Sequence, residues 1–303
     1  MTNRTFQRDD VAFPSQGITC RAWLYRPTQS ADSSSPCIVM AHGLGGTRDC
    51  GLEPFAERFV QAGIAVLLFD YRHFGASDGQ PRQLLSIRKE LQDWKAAVAF
   101  ARTLPGVDAK RIGLWGTSLS GGHVITTAAN DPSIAAISAQ QPMVDGFAAT
   151  LQMVRYAGAF QLARLAAYGL ADQLRAFVGL SPVTLPIVGQ PGEFATLSSH
   201  DSASGYGAVA GPGWKNEMTA RMALTLMSYR PISKALNLKC PTLIQACMKD
   251  TVAPAPAAVK LARKAGPNVI LKQYDMGHFD IYVGRDRETA LADQLAFFQK
   301  ALA

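Results

Sequence analysis

The most informative part of the sequence is the stretch GLWGTSLSGGH, which runs from Gly113 to His123. Its first residues are apolar and predict a buried strand that ends at Trp115, and a helix has to begin almost at once after it. A strand-to-helix turn this sharp holds one residue in a strained backbone conformation and lifts its side chain clear of the sheet. The stretch therefore predicts a tight turn that presents a single side chain at the edge of a sheet.

Two serines, Ser118 and Ser120, compete for the presented position. Ser118 has Gly116 two positions before it and a small residue two positions after it, which lets the neighbouring backbones approach each other. Ser120 would lie inside the first turn of the helix, with a serine instead of a glycine two positions before it. We therefore expect Ser118 to be the presented residue and Ser120 to be a small packing residue. A glycine-rich turn without chemistry is the alternative, because a five-residue pattern alone is a modest signal.

Short apolar runs alternate with amphipathic segments along most of the chain, which is the pattern of a mostly parallel sheet covered by helices. An opening hairpin is predicted over residues 11–27, and a polar stretch follows it at residues 28–36. Further strands are predicted at residues 37–43, 63–72, 111–116, 134–140, 241–247 and 269–275. Amphipathic helices are predicted at residues 51–63, at about 84–104 and at 288–303.

The alternation stops between residues 146 and 230. The first part of this segment is helical and rich in alanine, leucine and aromatic residues, and the second part is rich in glycine, proline and serine. Long segments of this kind inside a compact domain are usually functional. We interpret residues 146–230 as a cap inserted into a core that is made of residues 1–145 and 231–303. A packing subdomain or a homodimer contact without a role in substrate binding is the alternative.

Composition and charge argue against several classes of function. The formal net charge is +7, but the basic residues are scattered, and no run resembles a nucleic-acid arm or a polybasic membrane anchor. The N-terminal sequence MTNRTFQRDD lacks the apolar core of a signal peptide, and no apolar run reaches the roughly 18 residues that span a bilayer. We therefore expect a cytoplasmic protein with no nucleic-acid partner and no membrane partner.

The cysteines give no sign of a metal site. Their count is odd, and they form no CxxC pair and no zinc-ligand spacing. They are Cys20, Cys37, Cys50, Cys240 and Cys247. We expect small buried thiols in a reducing compartment, and we expect neither a metal nor a cofactor.

Taken in order, these motifs resemble the α/β-hydrolase fold family. The resemblance covers nearly the whole chain and rests on the opening hairpin and on AHGLGG, FDYRHFGASDG, GTSLSGGH, the strand that ends in KD, and GHFD. It implies an α/β fold with a mostly parallel sheet of the eight-stranded type, flanked by helices, with a mainly helical cap inserted. Within the family, the chain looks closest to members that are dienelactone-hydrolase-like or X-Pro-dipeptidyl-peptidase-like, and to thiohydrolases and acyltransferases of polyketide pathways.

The resemblance implies a Ser-His-Asp triad in the chain order serine, acid, histidine. Ser118 would be the nucleophile. Asp250 ends the stretch PTLIQACMKD and His278 follows VILKQYDMG, so both match the positions of the acid and the base. Asp145 follows the preceding strand and is the competing acid, since some members of the fold carry the acid there.

The same resemblance implies an oxyanion hole formed by two backbone amides, those of Leu44 and Leu119. Leu44 lies in the glycine-rich turn AHGLGG, and Leu119 lies at the start of the helix. His42 and His123 adjoin these turns, and we interpret both as structural. A glycine-rich strand-to-helix turn without a catalytic role is the alternative for residues 42–46.

The sequence thus predicts a serine hydrolase that cleaves a small-molecule carboxylic ester or thioester through an acyl-enzyme intermediate. Apolar residues of the cap, among them Met153, Tyr156 and Phe160, suggest a hydrophobic acyl or aromatic substrate, although they are equally compatible with the cap's own core. Three rivals stay open: an acyltransferase with the same triad, a peptidase, and a binding module without catalysis. The intact serine, acid and histidine argue against the binding module.

Overall fold

The computed structural model of the chain describes residues 6–28 and 34–303. The first five residues of MTNRTFQRDD, in which no signal peptide is expected, lie outside these ranges, as do residues 29–33 of the predicted polar stretch. Every predicted site residue lies inside them.

Ten strands lie within the described residues. They are β1 (Phe6–Ser15), β2 (Ile18–Pro27), β3 (Ser35–Ala41), β4 (Ala65–Phe69), β5 (Val107–Thr117), β6 (Ala136–Gln140), β7 (Thr184–Leu185), β8 (Met218–Thr219), β9 (Thr242–Cys247) and β10 (Val269–Tyr274). Eight of them form one sheet in the order β1-β2-β4-β3-β5-β6-β9-β10, and β7 pairs with β8 in a small antiparallel sheet. In the large sheet, β2 runs antiparallel to both its neighbours and all other neighbours are parallel, which confirms the predicted fold class.

Eight α-helices lie within the same residues. They are α1 (Glu53–Gln61), α2 (Ile87–Ala101), α3 (Leu119–Asn130), α4 (Gly146–Phe177), α5 (Ser202–Val209), α6 (Ala223–Leu226), α7 (Ala255–Ala265) and α8 (Gly284–Ala301). Short 3₁₀ turns lie at Ala220–Met222, Pro231–Asn237 and Asp280–Tyr282. None of the helices in the described part of the chain combines the length and the apolar character that crossing a bilayer requires.

The centre of the sheet is buried on both faces. Every residue of β4, β6 and β9 is buried; β4 is wholly apolar, and β6 and β9 carry two polar residues each. Strands of this type need helices on both sides, whereas β1, at the edge of the sheet, exposes several of its residues. The helices are amphipathic, and the apolar face of α1, with Phe55 and Phe59, is fully buried.

The loops that carry the predicted site residues leave one edge of the sheet. Strands β3, β5, β9 and β10 run in the same direction, so their carboxyl ends lie along the same edge. Residues 42–46 follow β3, Ser118 follows β5, and Asp250 and His278 follow β9 and β10. Clefts at the carboxyl ends of parallel strands are where open α/β sheets bind their ligands.

The segment of residues 146–230 begins with the long helix α4, which is interrupted at Gly158, where φ is 82°. The rest of the segment, which the sequence gives as rich in glycine, proline and serine, has only short helices and the β7–β8 pair. Asp172 holds its parts together, because its buried carboxylate accepts hydrogen bonds from the amide of Val183 and from the guanidinium of Arg221 at 2.6 and 2.8 Å.

Candidate active site

The turn between β5 and α3 has the strained geometry that the sequence predicts. Ser118 adopts φ 54° and ψ −119°, a conformation that residues other than glycine rarely adopt. Any side chain at position 116 would place its Cβ 2.3 Å from the carbonyl oxygen of Ser120, so Gly116 is required for the turn to close. Ser118 lies in this turn and lines two pockets.

Ser120 is a buried packing residue. Its side chain is fully buried, and its Oγ lies 2.9 Å from the hydroxyl of Tyr71. The same hydroxyl accepts a hydrogen bond from the indole nitrogen of Trp94 at 2.8 Å. Ser120 is therefore held behind the turn and does not line either pocket.

The glycine-rich turn after β3 lies directly against Ser118. A Cβ on Gly43 would lie 3.0 Å from the Cβ of Ser118, so any side chain at position 43 would press against Ser118. Within residues 6–28 and 34–303, neither the amide of Leu44 nor that of Leu119 donates a hydrogen bond to another protein group. Two free N–H donors, the pair expected for the oxyanion hole, thus lie beside Ser118.

A tyrosine that the sequence analysis missed supports this turn. The hydroxyl of Tyr206, in α5, donates a hydrogen bond of 2.8 Å to the carbonyl oxygen of Leu44. Tyr206 is buried and stacks on Trp214 at a centroid distance of 4.8 Å. Because the bond fixes the peptide that follows Leu44, it helps to hold the orientation of the turn. Nothing in the local sequence around either residue predicts a contact between Leu44 and Tyr206.

His278 and Asp250 form a buried hydrogen-bonded pair. The Nδ1 atom of His278 lies 2.6 Å from Oδ2 of Asp250, and the two side chains are only 4% and 1% exposed. The other carboxylate oxygen of Asp250 accepts the amides of Val252 and Ala253, both at 2.7 Å. The pairing leaves Nε2 as the free nitrogen of the imidazole ring.

Asp145, the competing acid, has different partners. Its carboxylate caps the start of α4 by accepting the amides of Phe147 and Ala148, and it pairs with the guanidinium of Arg230 at 2.8 Å. Asp145 does not line either pocket at Ser118. The structure therefore brings Asp250, and not Asp145, to the histidine.

Two pockets meet at Ser118 and Leu44. The first, which we call the histidine pocket, encloses about 440 Å³ including its mouth and is lined by His42, Gly43, Leu44, Gly46, Cys50, Leu52, Thr117, Ser118, Leu197, Tyr206, Val209, His278, Phe279 and Tyr282. The second, which we call the apolar pocket, encloses about 720 Å³ including its mouth. It is lined by Leu44, Ser118, Leu119, Met143, Ala149, Thr150, Met153, Tyr156, Leu162, Leu165, Thr196, Leu197, Met222, Ala223, Leu226 and Val252.

The structure brings two of the three predicted substrate-binding residues to the site. Met153 and Tyr156 line the apolar pocket. Phe160 lies outside it, with 77% of its surface exposed and its ring 5.9 Å from the guanidinium of Arg164. Leu162 and Leu165, further along α4, line the apolar pocket, so Phe160 lies on the face of the helix that points away from it.

A second buried histidine lies behind the turn and takes no part in either pocket. Nε2 of His123 lies 2.8 Å from the carboxyl of Glu90, and Nδ1 lies 2.7 Å from the hydroxyl of Tyr229. Burial raises the pKa of Glu90 to about 8 and lowers that of His123 to about 3. At neutral pH both side chains are therefore uncharged, which suits a structural role.

His42 is also buried and neutral. Burial lowers its pKa to about 4, and its Nδ1 atom lies 3.0 Å from the carbonyl oxygen of Gly43. The ring packs edge-on against Tyr71 at a centroid distance of 4.8 Å. No three or more His, Cys, Asp or Glu side chains in the described ranges come together as a metal site would require.

Comparison with known proteins gives one family match over most of the chain. The model of a family described as serine aminopeptidase, S33, matches residues 32–282. The quorum-quenching protein AidA of Acinetobacter baumannii is 43% identical over 293 residues, which cover 96% of this chain and 94% of AidA. The thiohydrolase aneE of Aspergillus aculeatus is 29% identical over 313 residues, which cover 95% of this chain and 91% of the relative.

A third relative is similar in both sequence and structure. The polyketide transferase grgF of a Penicillium species is 33% identical over 193 residues, which cover 63% of this chain and 61% of the relative. The crystal structure of the α/β hydrolase GrgF from Penicillium sp. sh18 superposes with a TM-score of 0.82 and 24% identity over 98% of this chain and 99% of that one. This structural likeness shows a shared fold.

Proposed function

The chain belongs to the α/β-hydrolase family that is described as serine aminopeptidase, S33, and we propose that it is a serine hydrolase that cleaves a carboxylic ester or thioester through an acyl-enzyme at Ser118. The observation that carries the proposal is the buried bond between His278 and Asp250 beside the strained Ser118. A serine hydroxyl is a weak nucleophile until a histidine takes its proton, and a carboxylate orients that histidine.

The proposed reaction has two steps. In the first, Oγ of Ser118 attacks the carbonyl carbon and its proton passes to Nε2 of His278, while the amides of Leu44 and Leu119 stabilise the oxyanion. The tetrahedral intermediate then collapses, His278 gives the proton to the leaving alcohol or thiol, and the acyl group stays on Ser118. In the second step, water gives a proton to His278 and its oxygen attacks the acyl-enzyme. The second tetrahedral intermediate then collapses, His278 returns the proton to Oγ of Ser118, and the acid is released.

The two pockets differ in which part of a substrate they suit. The leaving group has to lie near His278, which protonates it, and His278 lines the histidine pocket but not the apolar pocket. The acyl group has to extend from the carbonyl carbon away from the leaving group. We therefore assign the apolar pocket to a hydrophobic acyl chain, in which case residues 146–230 act as the cap that supplies Met153 and Tyr156.

Acyl transfer is the second candidate, and one of the relatives supports it. The alignment with the polyketide transferase grgF covers 63% of this chain and that with the thiohydrolase aneE covers 95%, so relatives of this chain are named for both reactions. The two reactions differ only in whether water or another acceptor attacks the acyl-enzyme. An aminopeptidase is less well supported, since among the described residues that line the two pockets none is an Asp or a Glu that would bind an amino group.

The deciding experiment measures kcat/KM on a panel of p-nitrophenyl esters and acyl thioesters for wild type, Ser118→Ala and Ser120→Ala. We expect the Ser118→Ala variant to lose at least about a thousandfold in kcat/KM, because the nucleophile is gone. Ser120→Ala is the matched control and should change kcat/KM by less than about tenfold. Activity that survives in Ser118→Ala would contradict the proposal. A burst of p-nitrophenol followed by slow turnover, which an added alcohol or amine accelerates, would favour acyl transfer over hydrolysis.

A further inference from the structure

The loop that carries Asp250 is tied to the proposed cap by a cluster of polar side chains. The hydroxyl of Thr251, the residue after Asp250, donates a hydrogen bond of 2.6 Å to Oδ1 of Asp201, which immediately precedes α5. The same carboxylate oxygen accepts the hydroxyl of Ser199 at 2.7 Å, and Ser199 is buried. The cap segment thus supplies a carboxylate acceptor that fixes the side chain next to the acid.

A second contact from the same segment reaches Asp250 itself. The side-chain amide of Gln152, in α4, donates to the backbone carbonyl oxygen of Asp250 at 2.8 Å. On the other side, the amides of the two residues after Thr251 donate to the Asp250 carboxylate, each at 2.7 Å. Because Thr251 lies between these bonds, a shift of Thr251 would displace the amides that orient the carboxylate toward His278.

Helix α5 also contacts the other catalytic parts of the site. Tyr206 donates to the carbonyl oxygen of Leu44, in the turn expected to form the oxyanion hole. Gly205 lies against the ring of Phe279, the residue after the triad histidine, since a Cβ on Gly205 would lie 2.3 Å from Cγ of that ring. Helix α5 and the residue before it therefore contact the acid loop, the oxyanion turn and the residue next to the base.

Asp201 and Thr251 lie outside the space that a substrate would occupy. Neither residue lines the histidine pocket or the apolar pocket. A substitution at either position therefore acts on the reaction through the way in which Asp250 is held. A misplacement of a catalytic group by about 1 Å, caused by a residue away from the chemistry, costs about a hundredfold in rate.

We propose that Asp201 is a positioning residue that holds Asp250 against His278 by fixing Thr251 from the cap. This inference rests on the proposed function, since it takes Asp250 and His278 as the acid and the base. It goes beyond that function because it makes the cap part of the apparatus that aligns the triad, in addition to its assigned role in binding the acyl chain.

The kinetic test measures kcat and KM for Asp201→Ala and Thr251→Val on p-nitrophenyl acetate and p-nitrophenyl octanoate. We expect each variant to lose about ten- to a hundredfold in kcat, by the same factor on both esters, with KM changed by less than about twofold. Thr251→Ser, which keeps the hydroxyl donor, should restore kcat. An unchanged kcat in both Asp201→Ala and Thr251→Val, or a loss confined to the octanoate, would overturn the inference.

The double variant shows whether the two residues act through one bond. Asp201→Ala and Thr251→Val both break the hydrogen bond between these side chains, so together they should lower kcat little more than either does alone. Losses that multiply would overturn the inference. Thr225→Val is the matched control, because the exposed Thr225, in α6 of the same segment, donates only to the carbonyl oxygen of Met222 and should leave kcat unchanged.

A spectroscopic measurement separates this inference from the proposed function. The proton between Nδ1 of His278 and Asp250 gives a strongly deshielded resonance in the proton NMR spectrum of the resting protein, identified by its loss in Asp250→Asn. We expect this resonance to move or broaden in Asp201→Ala and Thr251→Val and to return to its wild-type position in Thr251→Ser. It should stay in place in Tyr206→Phe, which alters the oxyanion turn and not the acid loop.

The two measurements can fail separately. A resonance that depends on Asp201 and Thr251 in this way supports the positioning role even if the wild type cleaves no ester, which would refute only the proposed reaction. A resonance that is unchanged in both Asp201→Ala and Thr251→Val overturns the positioning role even if esters are cleaved.

Discussion

Ser118 is held in its strained conformation by the backbone around it. Its amide donates to the carbonyl oxygen of Gln140 at 3.0 Å, and its own carbonyl oxygen accepts the amides of Met143 at 2.8 Å and Gly122 at 3.3 Å. A residue in such a conformation costs on the order of 1–3 kcal/mol and persists only where the surroundings determine it. The hydrogen bonds from Ser118 to β6 and to the loop after it hold Ser118 in this conformation.

The strain at position 118 predicts a difference between two inactive variants. Ser118→Gly relieves the positive φ, whereas Ser118→Ala keeps the strain, although both remove the hydroxyl. We expect the glycine variant to have the higher free energy of unfolding, by about 1 kcal/mol, in urea denaturation followed by circular dichroism. An alanine variant at least as stable as the glycine variant would contradict the idea that the turn stores strain.

The identity of the triad acid gives a second prediction at the same scale. Asp250→Asn removes the charge that orients His278 and stabilises its protonated form, so kcat/KM should fall by about a thousandfold or more. Asp145→Asn should change kcat/KM by less than about tenfold, since asparagine also caps helices and Asp145 contacts Arg230 instead of the histidine. Steady-state kinetics on one ester decides the matter, and a larger loss in Asp145→Asn would reverse the assignment.

Among the elements, the junction of β5 and α3 depends most on close packing. Gly116→Ala would push a methyl group into the backbone of Ser120, and we expect a loss of about 1–3 kcal/mol in stability together with a large loss of activity. Gly207→Ala, in α5, is the control, because no atom lies within 4 Å of the added methyl group. The two variants are compared by thermal unfolding and by kcat/KM. Equal behaviour of the two would show that the turn tolerates a side chain.

How far the sequence predicts these elements depends on how local each signal is. The strands at the centre of the sheet are short, mostly apolar runs, and the turns at Gly43 and Gly116 have their glycines within a few positions of Leu44 and Ser118. Periodicity and spacing therefore predict both the elements and the placement of Ser118. The contact of Tyr206 with Leu44 joins parts of the chain 162 residues apart, so no pattern along the sequence could reveal it.

Helix α4 shows a different limit. Its residues are apolar around much of the helix, so the sequence does not indicate which face lies toward the pocket. Met153 and Tyr156 line the apolar pocket, and Leu165 does so beyond the interruption at Gly158, whereas Phe160 is exposed to solvent.

Across the whole molecule, a buried polar network joins the sheet-covering helices to the end of the proposed cap. Glu90 lies in α2, His123 in α3, and Tyr229 in the segment that returns the chain to the core. Glu90 and His123 are almost fully buried and Tyr229 is partly buried, and the network holds an uncharged glutamic acid beside an uncharged histidine at neutral pH. The proton of Glu90 therefore belongs to the folded state and is released on unfolding.

This network predicts how global stability depends on pH. The pKa of Glu90 is raised from 4.5 to about 8 by burial, so its contribution to stability is full below pH 4.5 and is lost as pH rises toward 8. His123 acts in the opposite sense, since its pKa is lowered from 6.5 to about 3 and its contribution is lost as pH falls below 6.5. Between pH 6.5 and 8, Glu90 therefore determines how the contribution of this pair to the free energy of unfolding changes with pH.

Glu90→Gln tests this dependence, because glutamine keeps the shape of the protonated acid and cannot ionise. Relative to wild type, we expect its free energy of unfolding to rise by more than about 1 kcal/mol between pH 5 and pH 8, measured by urea denaturation at several pH values. Glu288→Gln is the control, since Glu288 is exposed and its difference from wild type should stay flat over the same range. If Glu90→Gln gives the same flat difference, then the Glu90 carboxyl is already ionised in the folded protein at neutral pH. The pairing with His123 would in that case be an ion pair, and stability would be lost as pH falls instead of as it rises.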